Sequence, residues 1–326
     1  MGVKKGYSIQ KNILVKYERE ESTFVIPDGV TAIGAGAFKN AKHVTHVTIP
    51  NSVTTIGAEA FSGCSGLTHI TLPDSVTHIG PNAFYSSGLT TIDMPAGLTH
   101  IGSHAFDNCQ HLTAITIPDT VTEIGSYAFS GCRCLTAVAI PAAVTTMQSG
   151  VFRGCSGLTA ITVAEGNPTY CAEGNCLMER NRISDFERKW LPDVEGDYTK
   201  TIIQGCGGSV IPTDTAVRRI DAYAFQNCHT LTCLTIPNNV TSIGIFAFSR
   251  CKNLERVTVS DAVTVIDKYT FEGCERLTAI HLPAGIQSIE EAAFKNCDGL
   301  VITTTKGSYA ETYANDHGIS CDIIDG

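Results

Sequence analysis

The chain has 326 residues, 43% of them hydrophobic, and a net charge of −9. That charge, with no Lys/Arg cluster at a recurring position, argues against nucleic acid or an anionic membrane surface as partner. No apolar run approaches the roughly 20 residues of a membrane span, and residues 1–10 lack the apolar core of a signal peptide.

Residues 7–26 carry Tyr7, Asn12 and Leu14, then Val25-Ile26-Pro27. Asn12 sits between two apolar-alternating pieces, which predicts a β-hairpin. The same layout returns at Tyr170, Asn175 and Leu177, followed by Val210-Ile211-Pro212. Two arrays in tandem are expected, each introduced by a hairpin. Because residue 7 resembles the middle of an array as much as a beginning, further coils upstream are expected.

From the first hairpin on, one unit is written again and again, most clearly at 67–89. Its Phe falls at Phe38, Phe61, Phe84, Phe106, Phe129, Phe152, Phe225, Phe248, Phe271 and Phe294; the gaps are seven of 23 residues, one of 22 and one of 73. A strict period in this range signals a solenoid. In the unit, Leu67, Ile70 and Leu72 predict a short half-buried strand. Pro73 ends it, having no N–H to donate. Val76 to Gly80 is a second extended piece, with Gly80 expected to permit the turn after it. Ala83-Phe84 suits a tight helical turn. One unit cannot bury its apolar side alone, so neighbours must stack.

The first array predicts strands near 23–26, 44–49, 67–72, 89–94, 112–117, 135–140 and 158–163. Residues 164–209 interrupt it with the second hairpin and a loop holding Trp190, the only tryptophan, beside Phe186, Arg180, Arg182, Arg188 and Lys189. Insertions in solenoids fall on one face and often bind, and a Trp with Arg neighbours resembles an interface anchor. The plainer reading, which we prefer from sequence, is that Trp190 packs the loop onto the solenoid.

The second array resumes at Val210, with two extra residues between Pro212 and Phe225, and predicts strands near 231–236, 254–259 and 277–282. Ser308 and Glu311 have capping-box spacing, Ala310, Tyr313 and Ala314 form an apolar stripe, and Gly318 is placed to stop the helix. Residues 319–324 can add a last strand. This reads as a C-terminal cap, which an array needs to cover its open end, and as a natural C-terminus.

Of fourteen cysteines, eight stand three residues after the repeat Phe: Cys64, Cys109, Cys132, Cys155, Cys228, Cys251, Cys274 and Cys297, with Ala41 and Ser87 in the other coils. One small residue per coil at one phase is read as a buried ladder of free thiols, since parallel Cβ vectors do not suit a bridge. Such a load points to a reducing cytoplasm or an anaerobic source. Cys171 and Cys176 have C-x4-C spacing with no second pair to complete a zinc site. His46 and His69 share one phase; His78, His100 and Glu123 share another. Two His and a Glu at about 4.8 Å spacing invite a metal, but biased composition in stacked coils gives the same column, and a solvated surface is expected.

The run I-P-x-x-V-T-x-I-G-x-x-A-F-x-x-C, nearly intact at 49–64, 117–132 and 236–251, resembles the leucine-rich repeat, specifically the bacterial BspA-like class. The resemblance covers almost the whole chain, and the G-S-Y-A-E-x-Y-A ending also matches that class. It implies a leucine-rich repeat solenoid, β-rich and curved into an α/β-type horseshoe or arc. It further implies a parallel concave sheet, short helical turns on the convex side, and a family associated with surface attachment and protein–protein contacts. The expected organisation is 1–163, hairpin plus first array; 164–209, hairpin and loop insertion; 210–326, second array with cap; all in one continuous solenoid.

The outward strand positions, among them His46/Thr48, His69/Thr71, Thr91/Asp93, Cys233/Thr235 and Arg256/Thr258, make a smooth face rich in Thr and Ala, as β-propensity alone accounts for. They hold no aromatic residue, which disfavours carbohydrate. No nucleophile-elbow, P-loop, zinc-protease or dinucleotide motif occurs. The sequence therefore reads as a non-catalytic recognition protein without a cofactor and without a metal, a monomer with a protein partner. A bacterial surface or secreted adhesion module is the first reading, its export signal lying outside this sequence; a cytoplasmic interaction scaffold is the alternative, on the missing signal and the free thiols. Candidate partner-binding residues are Trp190, Phe186 and Arg188 on the insertion, and His46, His69, Asp93 and Arg256 on the strand face.

Overall fold

The computed structural model describes residues 6–325, so the first half of the 1–10 segment, where no signal peptide is expected, lies outside the described residues. The chain forms two compact units, one ending at Pro168 and one starting at Thr169.

The first unit opens with the antiparallel hairpin Tyr7–Gln10 and Ile13–Tyr17. Lys11 and Asn12 turn it with φ of 48° and 62°, the left-handed pair that a two-residue hairpin loop requires. Its second strand continues as a parallel ladder through Ala32–Ile33, Thr55–Ile56, His78–Ile79, His100–Ile101, Glu123–Ile124 and Thr146–Met147. These doublets are the V-T-x-I pieces of successive coils, each pointing its Ile into the core at least up to Ile124.

A second row is made by the triplets Thr23–Val25, His46–Thr48, His69–Thr71 and Thr91–Asp93, then Ala137–Ile140 and Ala160–Val163. Each of the first four buries only its middle residue, as period-two alternation demands. This row is broken into pairs. The strand expected at 112–117 does not form: Ile115 and Ile117 are buried, but its links are sparse, Thr113 N donating to Thr90 O at 3.1 Å and Thr136 N to Thr113 O at 3.4 Å. That break follows the one 22-residue coil, which lacks a residue between Phe84 and Leu89. Nothing in the local sequence explains the break between His46–Thr48 and His69–Thr71.

The third row holds the repeat Phe and corrects the expectation of helical turns. The residues two before and two after that Phe lie in the left-handed region, as at Glu59 and Gly63 (φ 56° and 71°) or Asn82 and Ser86 (54° and 51°). Consecutive tight turns result, not 3₁₀ helix. They free alternate N–H groups to reach the next coil: Phe38 N donates to Ala60 O and Phe61 N to Ala83 O, both at 2.7 Å, and Asn40 N to Ser62 O at 2.7 Å. In every coil but those with Ser86 and Arg250, the later position holds Asn or Gly, the chemistry a positive φ favours. Gly80 has a different reason from the one expected. Its φ is not positive; a Cβ there would stand 2.8 Å from Ala58 N in the preceding coil. Glycine lets the coils approach rather than turning the chain.

The second unit starts with the hairpin Tyr170–Glu173 and Cys176–Arg182, as expected. A further strand, Tyr198–Gln204, lies inside the segment expected to be loop. It pairs antiparallel with Cys176–Arg182 and parallel with Val217–Ile220, the first doublet of the second array. Gly205 follows this strand and has no room for a side chain, because the Phe225 ring stands 2.0 Å from where its Cβ would be. Here the triplets are continuous: Cys233–Thr235, Arg256–Thr258, Ala279–His281, Val301–Thr305 and Ser320–Ile324 form one five-stranded parallel sheet. The helix Tyr309–His317 is capped by Ser308, whose side chain accepts from Glu311 N, and stops at Gly318 with φ 66°. Its own Ala310 and Ala314 are fully buried against the array.

In each unit the repeat Phe rings stack through the core. Centroids are 4.9 Å apart for Phe38 and Phe61, 5.2 Å for Phe61 and Phe84, and 5.5 Å for Phe248 and Phe271, spacings set by coil stacking. Each buried ring contributes about 1.5–3 kcal/mol. The cysteine ladder lies beside them. Cys64, Cys109, Cys132, Cys155, Cys251, Cys274 and Cys297 each point Sγ at the Phe carbonyl of the preceding coil, at 3.0–3.3 Å. All of these cysteines are free thiols and buried. A thiol fits where a methyl would fill space but leave that carbonyl facing an apolar group.

Candidate functional site

The insertion residues gather on one short stretch. Ser184 caps the single helical turn Asp185–Arg188 in a full capping box with Glu187. Beneath it Ile183, Val194 and Ala216 form a small apolar cluster joined by Leu191. Two clamps hold the loop closed: Arg188 bonds Val194 O and Asp197 (3.3 and 3.0 Å), and Arg218 grips both Asp193 oxygens at 2.6 Å. That hydrogen-bonded pairing holds the Asp193 carboxyl below its usual range.

Trp190 and Phe186 take no part in this core. They are 74% and 70% exposed, so the preferred reading of Trp190 as packing is overturned. Leu191 and Val194, not Trp190, fasten the loop. Arg188 fastens it too, and its guanidinium is already engaged.

On the strand face the structure joins two of the four candidates. His69 Nε2 lies 3.6 Å from Asp93 Oδ2, and its Nδ1 lies 2.9 Å from Thr91 Oγ1. His46 turns to Thr45 Oγ1 at 3.0 Å, and the ladder is broken between its strand and that of His69. Arg256 Nη2 stands apart from these, 3.3 Å from the exposed Cys233 thiol. The His78–His100–Glu123 column is in register. The two rings stack at 5.0 Å and 9°, and His100 Nε2 is 3.5 Å from Glu123. The imidazoles face one another rather than converging on a point, and among the described residues no three His, Cys, Asp or Glu are placed to hold a metal ion. Cys171 and Cys176 lie on opposite strands of the second hairpin and out of register, Cys171 opposite Met178 and Cys176 opposite Glu173.

Two features escaped the sequence reading. Tyr223, Phe246 and Tyr269 stand two residues before the repeat Phe, with φ of 63°, 56° and 58°. Bulky side chains rarely accept that conformation. Their half-exposed rings stack at 5.2 and 4.7 Å within 8° of parallel, so the central Phe246 has both faces spent on its neighbours. The signal was in the sequence as three aromatics at one phase of successive coils. The other feature is an open cavity of about 640 Å³ between the last coil and the C-terminal helix, lined by Glu290, Ala292, Phe294, Asn296, Tyr309, Tyr313 and others.

These coils, with Ile-Pro before the doublet and Ala-Phe in the turn row, match the model of the BspA type leucine rich repeat region over residues 9–103, 77–173 and 204–315. The chain belongs to the BspA-type leucine-rich repeat family. Among solved structures, the BspA-type chain is similar to a leucine rich cell surface protein from Faecalibacterium prausnitzii, with 27% identity, a TM-score of 0.69, and coverage of 100% of this chain and 94% of that one. It is also similar to a leucine-rich repeat protein from Eubacterium ventriosum, with 23% identity, a TM-score of 0.63, and coverage of 86% and 78%. The pneumococcal vaccine antigen PcpA shares the fold at 16% identity and a TM-score of 0.52, over 99% and 98% of the two chains. No curated protein matches the chain. Among the described residues of this BspA-type array, no helix is long and apolar enough to cross a membrane.

Proposed function

We propose that this BspA-type array is a non-catalytic protein-recognition module that works at a bacterial surface or in secreted form. The observation that carries the reading is the presentation of Trp190 and Phe186. Both are exposed on a turn held by a capping box and two arginine clamps. A large aromatic held out by a rigid support loses little freedom on binding, which is how interface anchors work. The likeness over its full length to a leucine rich cell surface protein supports the location. His69 with Asp93 on the strand face is a secondary contact point. A cytoplasmic scaffold is the second reading, favoured by the free thiols.

Two measurements test this. Protease shaving of intact source cells, read with an antibody to the array, should remove the signal before lysis; survival until lysis selects the scaffold. With a captured partner in hand, Trp190→Ala should weaken capture at least tenfold with the melting temperature unchanged. Undiminished capture would remove the insertion from the interface.

A further inference from the structure

The turn row has a direction that the strand rows lack. In a parallel strand, alternate N–H groups point to opposite neighbours. In the turn row, the N–H groups directed out of a coil all point forward. Phe225 and Asn227 donate to Ala247 O and Ser249 O (2.8 and 3.0 Å). Phe246, Phe248 and Arg250 donate to Lys268 O, Thr270 O and Glu272 O (3.2, 2.9 and 2.6 Å). Phe271 and Gly273 donate to Ala293 O and Lys295 O (2.9 and 2.8 Å). The same phase in the last coil is Ala292, Phe294 and Asn296. Among the described residues none accepts from these three N–H groups. All three residues line the 640 Å³ cavity.

The C-terminal helix covers the end of the Phe stack without closing this row. Tyr313 meets Phe294 edge-on at 6.2 Å, which shields the core. The array thus ends in a file of aligned donors, the partial positive end of a hydrogen-bonded column. The rim carries Glu290, Glu291 and Asp298 against Lys295, an acidic excess, and the half-exposed Tyr309.

We infer that this cavity binds an extended, basic peptide segment of a protein partner. Peptide carbonyls at alternate residues match the file of donors, as the missing next coil would. Lys or Arg side chains meet Glu290 and Glu291, and the Tyr309 ring gives an apolar wall. This is strand-addition recognition applied to a turn row instead of a sheet edge. The inference rests on the recognition reading above and assigns it a second site and a partner chemistry.

The test is a titration of the ¹⁵N-labelled full chain with three pools of nonapeptides, of net charge +3, 0 and −3. The +3 pool is expected to shift the amide resonances of Ala292, Phe294 and Asn296, and the −3 pool to leave them in place. In the rim variant Glu290→Lys/Glu291→Lys, binding of the +3 pool should fall at least tenfold while the amide spectrum without peptide keeps its dispersion. Equal response to all pools, no response at these amides, or unchanged binding by the variant would overturn the site. Shifts that follow protein concentration without peptide would make a second copy the occupant and overturn it as well. A null here leaves the recognition reading standing on the Trp190 assay, which does not involve this cavity.

Discussion

The two arrays are written in one repeat, yet each carries its long ladder on a different piece of it. In the first array the V-T-x-I doublets run unbroken through an eight-stranded sheet while the triplets survive only as pairs. In the second, the triplets make the five-stranded sheet, and the doublets split after Ser242–Ile243. Core composition does not separate them; both bury Ile, Leu, Phe and Cys at the same phases. The end pieces do. Both arrays start with a strand fed into the doublet row, Ile13–Tyr17 and Tyr198–Gln204, but the second also ends with Ser320–Ile324 extending its triplet row. Coil chemistry sets the core, and the terminal element sets which row is regular.

The strongest test of that comparison is removal of residues 307–326. The second array loses its last strand and the helix that buries Ala310 and Ala314 against it, and its calorimetric transition should fall by more than about 10 °C, with the first array's transition in place. A joint shift would show the arrays unfolding as one and the end effect as shared. Next, Phe61→Ala and Phe248→Ala each empty one place in a fully buried stack, costing about 3–5 kcal/mol in urea titrations. Equal losses would confirm that coil chemistry, not the ladder, sets core stability.

Alkaline pH should weaken both arrays. Burial pushes the Cys64, Cys109 and Cys155 thiols in the first array, Cys297 in the second and Cys176 in the hairpin that precedes it, from 9.0 up to about 12. An unfolded thiol ionises above pH 9 while the folded one cannot, so the unfolded state binds fewer protons and stability falls as pH rises. The loss is about 1.4 kcal/mol per pH unit for each thiol at most, from pH 9 to 12. Flat stability to pH 11 would contradict the buried ladder. Smallest of all, Phe246→Gly should change stability by under about 1 kcal/mol, because release of left-handed strain offsets the lost ring stacking. A loss above about 2 kcal/mol would make the stack structural.

The coil was legible because burial repeats: Phe84 and its counterparts, the Ile of each doublet, and the buried thiols sit at fixed phases and need no distant information. The cap was legible from Ser308, Glu311 and Gly318, whose local chemistry is sufficient. The strand Tyr198–Gln204 was missed because its partners are Cys176–Arg182 and Val217–Ile220, and pairing across a loop leaves little trace in periodicity. Trp190 was misread for a related reason. Leu191 and Val194 compete for the same apolar cluster, and nothing in composition says which neighbour turns in. The open donor file was illegible, since it consists of backbone atoms whose partner is a coil that is not there.

The turn row also limits how such a gene can change length. A residue added within any row would slide every later donor past its acceptor. Deletions and insertions should therefore survive only at the corners, or as whole coils. Both irregularities within the arrays obey this. The missing residue lies between Phe84 and Leu89, and the two extra residues lie between Pro212 and Phe225, where Asp214 pairs with Lys200. New arrays of this type are then expected to arise by duplication in steps of about 23 residues, with point slippage confined to the bends.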